Sequence, residues 1–189
     1  GIGQGYTQTT PIQLCLMTAQ IANGGYKIKP KILTDDNQLT SEQVKKAMKD
    51  NNLYNSYIPL FNDQKNIKII QEAMFSSTNE LRGTSYKSRI DDPKYQFAGK
   101  TGTAQVKRIS KRERELDLKT SQIPYEERDH ALYVAFGPYK NPRYALSIIV
   151  EHGGSGSSAA APMATKLFKL IVDRHQYRKK LPDYKEFNI

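Results

Sequence analysis

The sequence has very little cysteine and no long apolar run, and each shortage excludes a kind of structure. Its single cysteine, Cys15, cannot form a disulfide within the chain, and its apolar helical surroundings predict a small core residue. No stretch approaches the roughly 18 apolar residues that a membrane-spanning helix needs. We find no metal-ligand spacing, no zinc finger and no aromatic-interleaved RNA motif. We therefore predict no metal, no other cofactor and no nucleic acid partner.

What the chain does contain is positive charge. Its 29 Lys and Arg residues outnumber 19 Asp and Glu residues, which gives a net charge of +10. The basic residues are dispersed, with modest clusters at 107–114 and 174–180, so a solvated surface or attraction to a membrane or wall polymer is the favoured interpretation. At 189 residues the chain has the length of one ordinary domain. Its first residue is Gly1 rather than Met, and we interpret the chain as a piece of a longer protein.

The stretch TTPIQLCLMTAQIANGG gives the strongest helix prediction. Thr10 can cap the helix, Pro11 suits its first turn, and Gln13 completes a capping box. The segment from Asn23 to Gly25 supplies a left-handed stop. Because few residues between these signals are polar, we expect most of the helix circumference to be buried.

The remaining pattern predicts a fold of the α+β class, with an antiparallel sheet flanked by helices. A terminal helix capped by Ser157 or Ser158 should place Met163, Leu167, Leu170 and Ile171 on one face. The short link between the last two strands predicts a hairpin. The other expected elements are helices at 41–50 and 67–75, a loop at 76–94, an exposed strand at 26–33, strands at 95–106, 131–136 and 144–152, and peripheral excursions at 34–66 and 107–128.

The stretch FAGKTGTAQV carries the candidate chemistry. Lys100, Thr101, Gly102 and Thr103 lie in the middle of a predicted strand, between two short apolar runs. A Lys-Thr-Gly string by itself is weak, because three residues recur by chance. Its position before two further strands and a terminal helix is more specific, since that order is typical of the penicillin-recognising serine enzymes.

Four stretches in chain order resemble the class B penicillin-binding proteins. They are IGQGYTQTTPIQLCLMTAQIANGG, GKTGTAQV, DHALYVAFGPY and SIIVEHGGSGSSAAAP. The resemblance spans nearly the whole chain and is weakest over 34–66 and 107–127. Gln4, within Gly-Gln-Gly, favours the cell-elongation branch over the septal branch. The chain would then be the C-terminal portion, residues 1–189, of a single transpeptidase domain.

The resemblance implies roles for the four motif residues. Lys100 would bring positive charge to the carboxylate of a stem peptide ending in D-Ala-D-Ala, and would help to hold the serine and lysine of other motifs. The hydroxyls of Thr101 and Thr103 would bind that carboxylate, because charge-assisted hydrogen bonds are strong. Gly102 would let an extended peptide approach the strand closely. The backbone N–H of Thr103 would be one of two oxyanion donors.

The nucleophile of that family, the serine of Ser-x-x-Lys, does not occur in this chain. The segment Thr84 to Lys87 has the spacing but begins with threonine, and Ser77 to Asn79 matches Ser-x-Asn but comes too late in the chain. We interpret the latter as a helix end or loop. We therefore expect this chain alone to perform no acyl transfer. Two smaller features, His130 and the Gly153–Gly156 segment, are interpreted as structural, the second as a strand-to-helix turn.

The resemblance also implies a setting. The parent protein would be a serine-type D,D-transpeptidase on the periplasmic side of the bacterial inner membrane, anchored through an N-terminal segment absent here. Its expected partners are the stem peptide, β-lactams and the membrane glycosyltransferase of the elongation machinery. Two alternatives remain open: a non-catalytic penicillin or peptide sensor, and a serine β-lactamase. The latter shares Lys-Thr-Gly but does not usually carry the Gly-Gln-Gly segment.

Overall fold

Three strands form one antiparallel sheet, and helices pack on both of its faces. The computed structural model describes residues 8–30, 59–107, 115–116 and 118–179, with the backbone alone at 64 and 175–179. The strands lie in the order β1 (Ala98–Ala104), β2 (His130–Gly137) and β3 (Tyr144–Val150). The helices are α1 (Pro11–Ala22), α2 (Gln64–Asn79) and α3 (Ala161–Lys179). The predicted α+β class and the β2–β3 hairpin are therefore confirmed.

The core lies in two layers, one on each face of the sheet. On one face, α3 packs against β2, and Phe168 stacks on Phe97 with ring centroids 4.8 Å apart. On the other face, α1 packs against β3 and α2 against β1, around the buried residues Met74, Ala98 and Phe136. The sheet is thus covered by helices on both faces.

Helix α1 begins and ends where the sequence predicts. The Thr10 side chain accepts a hydrogen bond from the Gln13 backbone N–H, and the Gln13 side-chain oxygen accepts one from the Thr10 backbone N–H. The expectation that most of its circumference is buried is wrong for the described residues. Only Thr18 is fully buried, whereas Ile12 is 63% exposed. The helix contacts the sheet along one side, so a prediction of burial from its apolar composition is too high.

Helix α2 is longer than the predicted span of 67–75. It begins after Asp63, whose side chain accepts a hydrogen bond from the backbone N–H of Lys65, and it ends at Asn79. The predicted loop therefore starts at residue 80 rather than 76. The predicted strand from Tyr26 forms only a single bridge, to Pro59, within the described residues. The predicted helix at 41–50 lies outside the part of the chain that the structure describes.

Helix α3 packs on the sheet through a face of alanines and one phenylalanine. Ala161, Ala164 and Phe168 are completely buried, at spacings of three and four residues. Met163, Leu167 and Leu170, which the apolar pattern places on one face, are 40–67% exposed, so that face is not the one that packs on the sheet. Small alanine side chains let the helix axis come close to the sheet, and that close approach selects the inner face. A five-residue π turn, Gly156–Ala160, precedes the helix.

The described residues between β1 and β2 are 105–107, 115–116 and 118–129, and they lie outside the sheet. Strand β1 is shorter than the predicted 95–106 and ends at Ala104. Lys107 and Glu127 form an ion pair of 2.6 Å at the base of this excursion. Two short 3-10 turns, Thr120–Gln122 and Tyr125–Glu127, precede β2. No helix among the described residues is long and apolar enough to cross a membrane.

Candidate active site

The four motif residues lie on β1, at the edge of the sheet. Within the described residues β1 pairs only with β2, with Lys100 opposite Val134 and Thr101 opposite Tyr133. Thr101 and Thr103 share one face, because alternate residues of a strand point the same way. Lys100 and Thr103 are exposed, and the Lys100 ammonium folds back to donate to the Thr101 carbonyl at 2.9 Å. The structure thus brings a cation and two hydroxyls together on an edge strand.

A glycine on the β3–α3 connection supports the motif from behind. A Cβ on Gly156 would lie 2.7 Å from the carbonyl oxygen of Gly102 and 3.1 Å from its nitrogen. Only a residue without a side chain can approach the strand backbone this closely. The Gly153–Gly156 segment joins β3 to α3, and Gly154 has a φ of +77°. The interpretation as a strand-to-helix turn is therefore confirmed.

A buried group of hydroxyls beside the start of β1 links strand β2 to α2 and to the loop after it. The phenol of Tyr133 crosses Gly99 and lies 2.9 Å from the Thr78 hydroxyl. It also donates to the Ser85 hydroxyl at 3.1 Å, which in turn donates to the Ser77 carbonyl at 3.0 Å. Burial raises the pKa of Tyr133, although its hydrogen bonds with Ser85 and Thr78 oppose part of that effect. The phenol therefore stays protonated and remains a donor.

Thr84 contributes a hydroxyl at the motif that sequence reasoning missed. Its Oγ1 lies 3.3 Å from Thr101 Oγ1 and 3.2 Å from Ser77 Oγ. The sequence pattern shows Thr84 only as the start of a Thr-x-x-Lys spacing that ends at Lys87. That spacing spans a turn with a short 3-10 helix, Tyr86–Ser88, rather than an α-helix. Only its contact with Thr101 in the folded structure identifies Thr84, and no local sequence pattern reveals that contact.

The Ser-Thr-Asn string lies in the last turn of α2, so the helix-end interpretation is confirmed. Asn79 donates to the Phe97 carbonyl at 2.9 Å, which fastens the helix end to the entry of β1. Thr78 is completely buried. The side chains of Thr78 and Asn79 therefore have structural roles, in the core and at the end of α2.

His130 makes a local hydrogen bond at the start of β2. Its Nδ1 accepts the backbone N–H of His152 at 2.9 Å, and the two rings lie 4.8 Å apart. His152 has a φ of 54°, so this bond holds a left-handed residue at the end of β3. The structural interpretation of His130 is consistent with this contact.

Cys15 behaves as a packing residue. Its Sγ lies 3.4 Å from the Ala145 carbonyl oxygen, and the residue is half-buried between α1 and β3. Burial raises the pKa of the thiol, which lowers the thiolate fraction near neutral pH. The expectation of an unreactive core cysteine agrees with this environment.

The order of elements and the exposed Lys-Thr-Gly-Thr edge define the class to which the chain belongs. It is a member of the penicillin binding protein transpeptidase domain family, which matches residues 1–169. Within that family several of its relatives are of the penicillin-binding protein 2 type. It is 32% identical over 174 residues to the peptidoglycan D,D-transpeptidase MrdA of Salmonella typhimurium, covering 92% of this chain and 26% of that one. It is 31% identical to MrdA of Haemophilus influenzae, covering 100% of this chain and 27% of the relative.

Solved structures give the same relationship. The crystal structure of Pseudomonas aeruginosa PBP2 in complex with WCK 5153 is similar with a TM-score of 0.62 and 34% identity, covering 92% of this chain and 32% of that one. The complex of PBP2 and MreC from Helicobacter pylori is similar with a TM-score of 0.60 and 28% identity, covering 95% of this chain and 26% of that one. The chain thus spans about a quarter of the length of the curated relatives it matches.

Proposed function

We propose that the protein containing this chain is a peptidoglycan D,D-transpeptidase that cross-links stem peptides through an acyl-serine intermediate during cell elongation. This chain would be the C-terminal portion of its transpeptidase domain. The observation that carries the proposal is the Lys-Thr-Gly-Thr motif on an exposed sheet edge, inside a chain that belongs to the transpeptidase family. Exposed apolar side chains on the outer sides of α1 and α2, such as Ile12 and Ile69, suit a surface that more of the same domain covers.

The edge of β1 would bind the substrate. A stem peptide ending in D-Ala-D-Ala can add to the edge of β1 that no described strand covers, as a further extended strand with backbone hydrogen bonds to β1. Its terminal carboxylate would meet the hydroxyls of Thr101 and Thr103. Gly102 would leave room for the peptide backbone beside the strand.

Lys100 would supply the positive charge of the site. Its ammonium now donates to the carbonyl and, at 3.4 Å, the hydroxyl of Thr101, so it already lies against the proposed carboxylate site. In the complete domain it would also stabilise the serine and lysine of the other motifs. The backbone N–H of Thr103 would stabilise the oxyanion of the tetrahedral intermediate, an interaction whose loss typically costs about 3 kcal/mol.

The nucleophile would come from the remainder of the protein. This chain has no Ser-x-x-Lys, and it spans about a quarter of its curated relatives. The serine would attack the penultimate D-Ala carbonyl, release the terminal D-Ala and pass the acyl group to an amine of a second stem peptide. A β-lactam would acylate the same serine. We place the domain on the periplasmic side of the inner membrane, beside a membrane glycosyltransferase.

Intact-mass measurement after incubation with benzylpenicillin tests the proposal, with this chain alone as the control. We expect a stable one-to-one adduct on the full-length parent and none on the isolated chain. No adduct on the parent would favour a non-catalytic sensor. An adduct that deacylates rapidly would favour a serine β-lactamase, and an adduct on the isolated chain would mean that the nucleophile lies here.

A further inference from the structure

We propose that Thr84 is a positioning residue for Thr101, which it orients so that the Thr101 hydroxyl donates its proton to the carboxylate of the bound peptide or β-lactam. The inference rests on the proposed function. It begins from the 3.3 Å distance between the two threonine oxygens, which joins the loop after α2 to the motif strand.

The number of protons on the Thr101 hydroxyl limits the hydrogen bonds that it can donate. A threonine hydroxyl has one proton and two acceptor lone pairs. At Thr101, the Lys100 ammonium approaches the oxygen at 3.4 Å and can only donate to it. If Thr84 also donates, both lone pairs of Thr101 are occupied. The single Thr101 proton then points away from both neighbours, toward a ligand on the strand edge.

Ser77 supplies the next hydroxyl in this series of hydrogen bonds. Its Oγ lies 3.2 Å from Thr84 Oγ1, so Ser77 can donate to Thr84 while Thr84 donates to Thr101. The series ends on the ligand carboxylate, whose charge favours donors aligned in this direction. Each hydroxyl then uses its proton once, and no proton is shared between two acceptors.

The backbone around Thr84 is held firmly enough for this role. The N–H and the hydroxyl of Ser85 both donate to the Ser77 carbonyl at 3.0 Å, and Ser85 also accepts from the buried phenol of Tyr133. Gly83 lies so close to the carbonyls of Ser76 and Ser77 that a side chain there would clash with them. The turn is therefore docked on the end of α2, while Thr84 itself remains exposed toward Thr101.

The test is the second-order rate constant for acylation of the full-length protein by benzylpenicillin. Thr84→Val keeps the shape and removes the donor, and we expect the rate constant to fall about fivefold to tenfold. Thr84→Ser keeps the donor and should stay within about twofold of the parent. Ser76→Ala removes a neighbouring hydroxyl that donates to Glu80 instead, and it should leave the rate constant unchanged.

A second comparison separates positioning from general destabilisation. In a Thr101→Val background, Thr84→Val should cause no further loss, because the group that it orients is gone. Wild-type rates in Thr84→Val would overturn the inference, as would equal loss in Thr84→Ser or fully multiplicative losses in the double variant. If benzylpenicillin does not acylate the wild-type protein, the proposed function is wrong as well. If it acylates the wild type and Thr84→Val at the same rate, only this inference is wrong.

Discussion

The ring of Tyr133 occupies the space that a side chain on Gly99 would need. A Cβ at Gly99 would clash with the phenol, whose oxygen continues across β1 to meet Thr78 at 2.9 Å. The glycine immediately before the Lys-Thr-Gly-Thr motif is therefore required by the core. The hydrogen bonds of this one phenol link α2, the loop after it and the strand beside β1.

Substitution of Gly99 should destabilise the domain through overpacking. Gly99→Ala forces the Tyr133 ring out of its position, which we expect to cost about 1–3 kcal/mol and to lower the melting temperature by about 3–10 °C. Thermal unfolding of the parent protein measures this. In a Tyr133→Ala background the same change should cost much less, because the clash is gone. Equal losses in both backgrounds would contradict the steric account.

Gly156→Ala should damage the site more than the fold. The new methyl group would press on the backbone of Gly102 and on the Leu132 carbonyl, so β1 must shift at the motif. We expect acylation by benzylpenicillin to slow by about tenfold or more, since small displacements in an active site have large effects on rate. Gly24→Ala is the control: its φ is +93°, so the variant is strained, but its neighbour is Tyr26. It should lose stability and keep the wild-type acylation rate. Similar rates in Gly156→Ala and wild type would show that the strand tolerates the shift.

Asp173 should make the stability of the folded protein depend on pH in the acidic range. Hydrogen bonds from Tyr95 at 2.6 Å and Lys94 at 3.0 Å hold the pKa of Asp173 below its ordinary 3.8. Because the folded pKa is depressed, the carboxylate adds stability that is present above pH 3.8 and is lost as the pH falls through the lower folded pKa.

The measurement for Asp173 is the melting temperature of wild type and Asp173→Asn across pH. The wild type should melt higher at neutral pH, and the gap should close on acidification below about pH 4. Asp91→Asn, at the exposed Arg89–Asp91 pair, provides a surface comparison in which we expect a change near zero. A gap for Asp173→Asn that is the same at every pH would mean that the charge is not responsible.

The local elements were predictable from sequence because their signals are local. The capping box at Thr10 and Gln13 fixed α1, and the short turn between β2 and β3 identified the hairpin. The motif was found because Lys-Thr-Gly-Thr is contiguous. Whether Lys100 and both threonines act as the resemblance implies stays a prediction that the acylation experiments test.

What the sequence could not reveal are the contacts between distant segments. Helix periodicity places large apolar residues such as Leu167 on one face of α3, but it does not reveal that Ala161 and Ala164 form the face that packs on the sheet. The contact between Thr84 and Thr101 joins residues 17 apart in sequence, and only the packing of α2 against β1 brings them together.

The most direct test of the account is the benzylpenicillin acylation rate of the full-length protein carrying Lys100→Gln, with Lys87→Gln as the matched control. Lys87 is the exposed lysine of the Thr-x-x-Lys spacing. If Lys100 supplies the charge of the site, its loss should slow acylation by about a hundredfold or more while Lys87→Gln acylates at the wild-type rate. Wild-type acylation in Lys100→Gln, or a collapse in Lys87→Gln instead, would contradict the assignment of the β1 edge as the substrate site.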